Sequence, residues 1–260
     1  MYTLTHVDAN LKSKLAPLFA NHHRVDFAIP GILEGKSGKQ ISVVVNDLDT
    51  PEIALLRYGI FGILGGNAAH PDAEELLRSA VLPCAMQPSP EPWINLLQKA
   101  YAGNIKEIER FSFSHQQINV DHVKDLIVKH AYANAVIKID LETACSMEND
   151  EWNKYHLINY NSPNEFVNDG FANAIKIDGV VASACSAALR CSEGIELNII
   201  TLPAFRNKGL ALVVAAHTIL QAFEQDLIPH WDAANQQSVR LAMRLGYKQV
   251  GSYYTHYIST

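Results

Sequence analysis

The sequence predicts an α/β protein built of two packed parts, and three observations predict it. Runs rich in Val and Ile alternate along the chain with longer segments whose apolar residues recur at helical spacing. The dipeptide Asp178-Gly179 sits between two alternating apolar runs, a hairpin signal that implies antiparallel pairing. The chain has 260 residues, 48% hydrophobic and 18% charged, which suits one large domain or two smaller ones around a real core.

Taken in order, residues 1–20 are expected to form a short helix. VDFAIPGILEGK is an apolar run closed by a glycine turn, and KQISVVVNDLD is a β-branched strand ending in polar turn residues. EIALLRYGIFGILGGN follows as a further strand carrying several glycines. HPDAEELLRSAV opens on His-Pro-Asp with acids in its first turn, which marks a helix start. A second helix, PEPWINLLQKAYAG, has Pro-Glu-Pro at its head and Gly103 at its tail, and IKEIERFSFSH returns as an alternating strand. These elements make a small α/β unit, assigned to residues 1–118.

The second part, residues 119–260, begins with a helix at VDHVKDLIVKHAY and a strand at AVIKIDLE. SPNEFVNDG is a short helix capped by Ser162 or Asn161 and stopped by Gly170. ANAIKIDGVVASACSAALR and GIELNIITL are strands with turns at Asp178-Gly179 and Glu193-Gly194. The helix KGLALVVAAHTILQAFEQD, a short strand LIPHW, the helix NQQSVRLAMRLG and a last strand SYYTHYI complete the chain.

Net charge is −6, so no basic field exists to steer nucleic acid. The N-terminus lacks the apolar core of a signal peptide, no run of about 18 apolar residues would span a membrane, and the expectation is a cytoplasmic protein. Cys84, Cys145, Cys185 and Cys191 form no C-x-x-C pair and have no histidines at zinc spacing. They are expected to be reduced thiols, and the pair His22-His23 lacks further ligands, so no metal is expected. The glycines of YGIFGILGGN match neither G-x-G-x-x-G nor the phosphate loop that ends in Lys.

The chemistry concentrates at TLPAFRNKGLALVVAAH. A strand ends near Leu202 and a helix starts near Lys208 or Gly209. The first turn of a helix has unpaired N–H groups and partial positive charge, so an anion belongs there. Gly209 has no side chain to block a pyrophosphate, Arg206 and Lys208 add charge, Leu210 turns to the core and Ala211 keeps the approach open. A plain strand–helix turn capped by Asn207 would explain the same residues.

A second constellation follows at PHWDAANQQSVRLAMRLGY: a strand, then Asn235, then a helix closing in Leu-Gly-Tyr. The two together resemble the GNAT superfamily of acetyl-CoA-dependent N-acetyltransferases, across roughly residues 160–260. The family's [Q/R]-x-x-G-x-[G/A] signature after the fourth strand is matched by Arg206, Asn207, Lys208, Gly209, Leu210 and Ala211. Its Asn-to-Leu-Gly-[Phe/Tyr] segment is matched by Asn235 to Tyr247. The two-part chain also resembles the zwittermicin-resistance type within that family. The resemblance implies a mixed, largely antiparallel twisted sheet flanked by helices, with an added N-terminal α/β, GNAT-like subdomain that has no intact signature of its own.

The resemblance implies acetyl-CoA as co-substrate, its pantetheine arm lying between splayed fourth and fifth strands. The backbones of Ile199, Ile200 and Thr201 would bond the pantetheine amides, and the N–H groups of Asn207 through Leu212 would hold the pyrophosphate. Asn235 would touch the pantetheine, with Ser238 beside it; Asn235 suits a helix N-cap equally well. Glu196, ten residues before Arg206, takes the place of the family's base, with His230, five before Asn235, as the alternative. The family's acidic tyrosine, seven past the Asn, is Ala242 here, and Tyr254 on the tyrosine-rich last strand stands in as a candidate for that role. The implied reaction is direct acetyl transfer to a primary amine of a small molecule in a ternary complex, since no cysteine is placed for an acetyl-enzyme. A non-catalytic acyl-CoA-binding module is the alternative that Ala242 motivates. The N-terminal part reads either as part of the acceptor pocket or as a homodimer surface. The negative net charge favours a cationic amine.

Overall fold

The computed structural model describes residues 1–20, 22, 27–36, 38–87 and 91–259. Contacts divide the chain into two units, Met1–Arg110 with Ser252–Thr260, and Phe111–Gly251. The sequence boundary at 118/119 lies a few residues further along the chain, and the last residues join the first unit.

The first unit begins with a strand, β1 (Tyr2–Leu4), where a helix was expected; the helix α1 (Ala9–Leu15) starts only at Asp8, whose carboxylate accepts the N–H of Leu11 at 2.8 Å. The reason is pairing: Tyr2 to Leu4 lie antiparallel to Val45 to Val43 of β2 (Ser42–Val45). A short helix α2 (Ala28–Leu33) precedes β2. The glycine-bearing stretch expected as one strand is a hairpin, β3 (Ile53–Tyr58) and β4 (Phe61–Gly66). Gly59 at φ 52° turns the chain between them, which a continuous period-two pattern conceals. α3 (Ala73–Arg78), a short β5 (Cys84–Met86) that was not foreseen, and α4 (Glu91–Ala100) follow. Pro90, at the expected head of α4, and His23 lie outside the described residues. His22 Nε2 lies 2.8 Å from the Leu64 carbonyl. The unit's core gathers Ile53, Leu55, Leu64, Leu76, Leu77, Met86 and Trp93 between sheet and helices.

β6 (Ile105–Ser114) runs across the division in the chain. The second unit then holds α5 (Val120–Val128), β7 (Val136–Lys138) and α6 (Leu141–Glu148), the last capped by Asp140 on Thr143 N–H at 2.8 Å. The expected strand AVIKIDLE therefore stops at Lys138, because an Asx cap starts a helix two residues on. α7 (Pro163–Asp169) has Ser162 as its cap, as expected. β8 (Ala172–Ile177), β9 (Val180–Arg190) and β10 (Gly194–Thr201) form an antiparallel meander, with Asp178 (φ 51°) and Gly179 (φ 79°) in the left-handed conformations of a tight hairpin. α8 (Leu210–Phe223), β11 (Ile228–His230), β12 (Asp232–Ala233), α9 (Gln236–Arg244) and β13 (Lys248–Ile258) complete the elements. The sheet order is β11-β10-β9-β8-β7, antiparallel except for β10 with β11. α8 is apolar nearly all round and lies in the core with Val123, Ile175, Cys185, Trp231 and Tyr247. Among the described residues no helix is long and apolar enough to cross a membrane, and no group of three or more His, Cys, Asp or Glu is placed to hold a metal ion.

Candidate active site

β10 and β11 pair only over three residues: Gly194 with Ile228, Ile195 with Pro229, and Glu196 with His230. β10 continues to Thr201, bound on its other side to β9. A bulge between Glu196 and Leu197 coincides with the end of the parallel pairing. Beyond it, Leu197 to Thr201 have an edge that β11 does not cover, and all five are partly exposed. Ile199, Ile200 and Thr201, expected to meet the pantetheine, lie in this segment.

At the point of separation the two candidate bases meet. His230 Nδ1 lies 2.8 Å from Glu196 Oε2, with side-chain exposures of 10% and 15%. Alternatives in sequence are partners in structure. His230 is held from both sides along its own chain. Tyr247, at the end of the Leu-Gly-Tyr motif, donates to the carbonyl of Pro229 at 2.7 Å, and Trp231 Nε1 donates to Ser238 Oγ at 3.1 Å. Tyr247 is fully committed to this post; burial above all, then Cys185 and Glu196, push its phenol well above the ordinary range. A further imidazole, His115, stands near His230. Burial first, then His230, hold it below the usual histidine range. Sequence reading missed His115; β6 and β12 bring it there, pairing Ser112 with Asp232 and Phe111 with Ala233.

The strand–helix junction has a shape of its own. After the turn Pro203–Phe205, Asn207 (φ 62°) and Gly209 (φ 76°) both adopt left-handed backbone conformations. Gly209, not Asn207, occupies the N-cap position of α8, and among the described residues no side chain caps the helix. Leu210 and Leu212 are buried and Ala211 is partly exposed. The two cations are engaged nearby. Arg206 Nε donates to the Thr201 carbonyl at 3.2 Å and its guanidinium lies 5.8 Å from the centre of the Trp152 ring; Lys208 Nζ lies 5.2 Å from that of Phe205. A Cβ on Gly209 would stand 2.6 Å from His130 Nε2, so any side chain here would press on the imidazole.

Asn235 is the N-cap of α9, accepting the Ser238 N–H at 3.0 Å, and its side chain is exposed. The Ser238 hydroxyl serves Trp231 and Asn235 serves the helix, so both have structural posts. Ala242 is fully buried in the core. Tyr254 lies in the first unit and is 52% exposed, while the dyad and the junction lie in the second. Its neighbour Tyr253 accepts from Arg110 Nε at 3.1 Å.

A family model described as GNAT acetyltransferase matches residues 17–256. A curated relative named "Uncharacterized N-acetyltransferase YdfB", from Bacillus subtilis (strain 168), is 28% identical over 175 residues, which cover 65% of this chain; the chain spans 64% of that relative's length. Among solved structures, a GCN5-related N-acetyltransferase-like protein from Streptococcus suis 89/1591 has a TM-score of 0.82 at 26% identity, covering 95% of this chain and 98% of that one. A GCN5-related N-acetyltransferase from Kribbella flavida shares the fold at a TM-score of 0.53 and 17% identity, over 80% of this chain and 86% of that one.

Proposed function

Because the chain belongs to the GNAT acetyltransferase family, we propose that it transfers the acetyl group of acetyl-CoA to a primary amine of a small molecule, by direct attack in a ternary complex. The observation that carries this proposal is the end of β10–β11 pairing at a hydrogen-bonded Glu196–His230 pair. A strand edge that β11 leaves unpaired follows, and then a helix N-terminus that no described side chain caps. The residues suit the co-substrate: Gly209 takes the left-handed N-cap position without a capping side chain, and the first turn of α8 has N–H groups suited to a pyrophosphate. Acetyl-CoA supplies the activated acetyl group as a thioester.

The protein's part is to take a proton and to orient. In the reaction an amine nitrogen bonds the thioester carbonyl carbon, the C–S bond breaks, and the sulfur leaves with the electron pair. The amine must give up a proton as it attacks. Glu196 accepts the Nδ1–H of His230, which makes Nε2 the basic nitrogen of the neutral ring. His230 then takes the proton at Nε2, and the carboxylate stabilises the imidazolium it forms. The thiolate needs no dedicated acid, because a thiol is roughly two pKa units more acidic than an alkylammonium. This accommodates a buried alanine at position 242.

Calorimetric titration with acetyl-CoA, with Gly209→Asp as control, tests the donor site. Micromolar-range binding that the variant loses, while keeping its circular dichroism spectrum, is the expected result. Thiol release across a panel of small amines then tests transfer. Binding without release on any amine would favour the acyl-CoA-binding module that Ala242 suggests; no binding by the wild type overturns the proposal.

A further inference from the structure

We propose that His130 is a donor to the pyrophosphate of the acetyl donor, aimed from the end of α5 across the first turn of α8; this rests on the proposal that a CoA thioester binds at that turn. His130 follows α5, and its post is tightly defined. Its N–H donates to the Ile127 carbonyl at 2.9 Å, and its own carbonyl accepts the N–H of Ala133 at 3.0 Å. α5 packs on α8, with Val123, Leu126 and Ile127 of α5 and the following Tyr132 in or against the shared core, which holds the turn to the helix it faces.

The ring is oriented as well as placed. His130 Nδ1 accepts the Tyr132 N–H at 3.2 Å, and the two rings lie 6.0 Å apart. A nitrogen that accepts a backbone N–H has its lone pair in use, so the proton of the neutral imidazole sits on Nε2. That Nε2–H is the atom 2.6 Å from where a Gly209 Cβ would stand. A donor therefore faces the partially positive start of α8, which no described side chain caps, an unfavourable pairing that a bound anion turns into a favourable one. Arg206 and Lys208 lie instead over the rings of Trp152 and Phe205. The glycine of the signature thus makes room for the imidazole that would bind the phosphate.

The alternative is that the ring only fills space above Gly209. CoA affinity by calorimetry separates the two, together with turnover of S-acetylpantetheine, which has no pyrophosphate. His130→Ala is expected to weaken CoA binding by about 10- to 100-fold, the loss typical of a hydrogen bond to a charged group. S-acetylpantetheine turnover should stay unchanged. His130→Gln, which keeps an N–H of similar reach, should recover most of the affinity. Unchanged CoA affinity in a folded His130→Ala protein overturns the inference. So does an equal loss with CoA and with S-acetylpantetheine, which would mark a packing role. If the wild type takes up no CoA, the donor-site proposal fails first, and this one with it.

Discussion

At the scale of single residues, the 2.8 Å bond between Glu196 and His230 makes two side chains one chemical unit. In the proposed reaction the imidazole is the proton acceptor and the carboxylate its positioning partner. Replacing His230 with Gln is expected to lower kcat by about 10²- to 10⁴-fold, the usual worth of a general base. Glu196→Gln should cost less, since the ring remains, and CoA affinity should hold in both variants. Thiol-release kinetics beside calorimetry would check this; a fully active His230→Gln protein would remove the base from the histidine. Each member of the pair was legible in the sequence by its spacing from Arg206 or Asn235. Their bond was not, because they are 34 positions apart and only the register of two parallel strands brings them together. His115 and His130 were not legible as site residues at all: no motif contains them, and they arrive by tertiary packing.

At the scale of elements, the segment between α6 and α7 shows how buried polar groups fasten an irregular stretch to a sheet. Asn153 donates to the Val181 carbonyl at 3.1 Å, and Asn159 to that of Ala188 at 3.1 Å, both on β9. His156 Nδ1 lies 2.7 Å from Ser186 Oγ on the same strand, and the histidine is fully buried. Burial lowers the His156 pKa from 6.5 to about 3. The unfolded chain therefore binds a proton near pH 6.5 that the folded chain refuses until about pH 3. Stability from this group is whole above the unfolded value and declines as pH falls through that window, by about 1.4 kcal/mol per pH unit for one proton. His115 and His217, also lowered chiefly by burial, act in the same direction. Urea midpoints measured from pH 7 to 5 should fall in the wild type and fall less in His156→Asn; parallel curves would show that His156 does not control the slope. The helices with clear caps and the Asp178-Gly179 hairpin were readable because their signals are local. The β3–β4 turn and β5 were not, since Gly59-Ile60 is a weak turn signal and β5 has three residues that are ordered by their partners.

At the scale of the whole molecule, the cysteines bear on how the acetyl group travels. Cys185 is buried in the core beside α8 and its thiol is pushed up to about 12, chiefly by burial; that of Cys84 is pushed up to about 11 for the same reason. Cys191 is buried too, and Cys145 is exposed. Thiol titration of the native protein should find one fast group, Cys145, with the other three appearing on unfolding. Blocking Cys145 should leave turnover intact; loss of turnover would argue for an acetyl-enzyme after all.

The sequence by itself determined the α/β class, the strand–turn–helix at Arg206 to Ala211 and the Asn235 helix, because helix starts, glycine turns and apolar periodicity act over a few residues. Only the tertiary structure decided that β10 and β11 part company at Glu196 and His230, that Gly209 faces an imidazole, and that the last residues of the chain join its beginning. Those facts depend on strand register and on packing between segments far apart in the chain, and no local propensity encodes them.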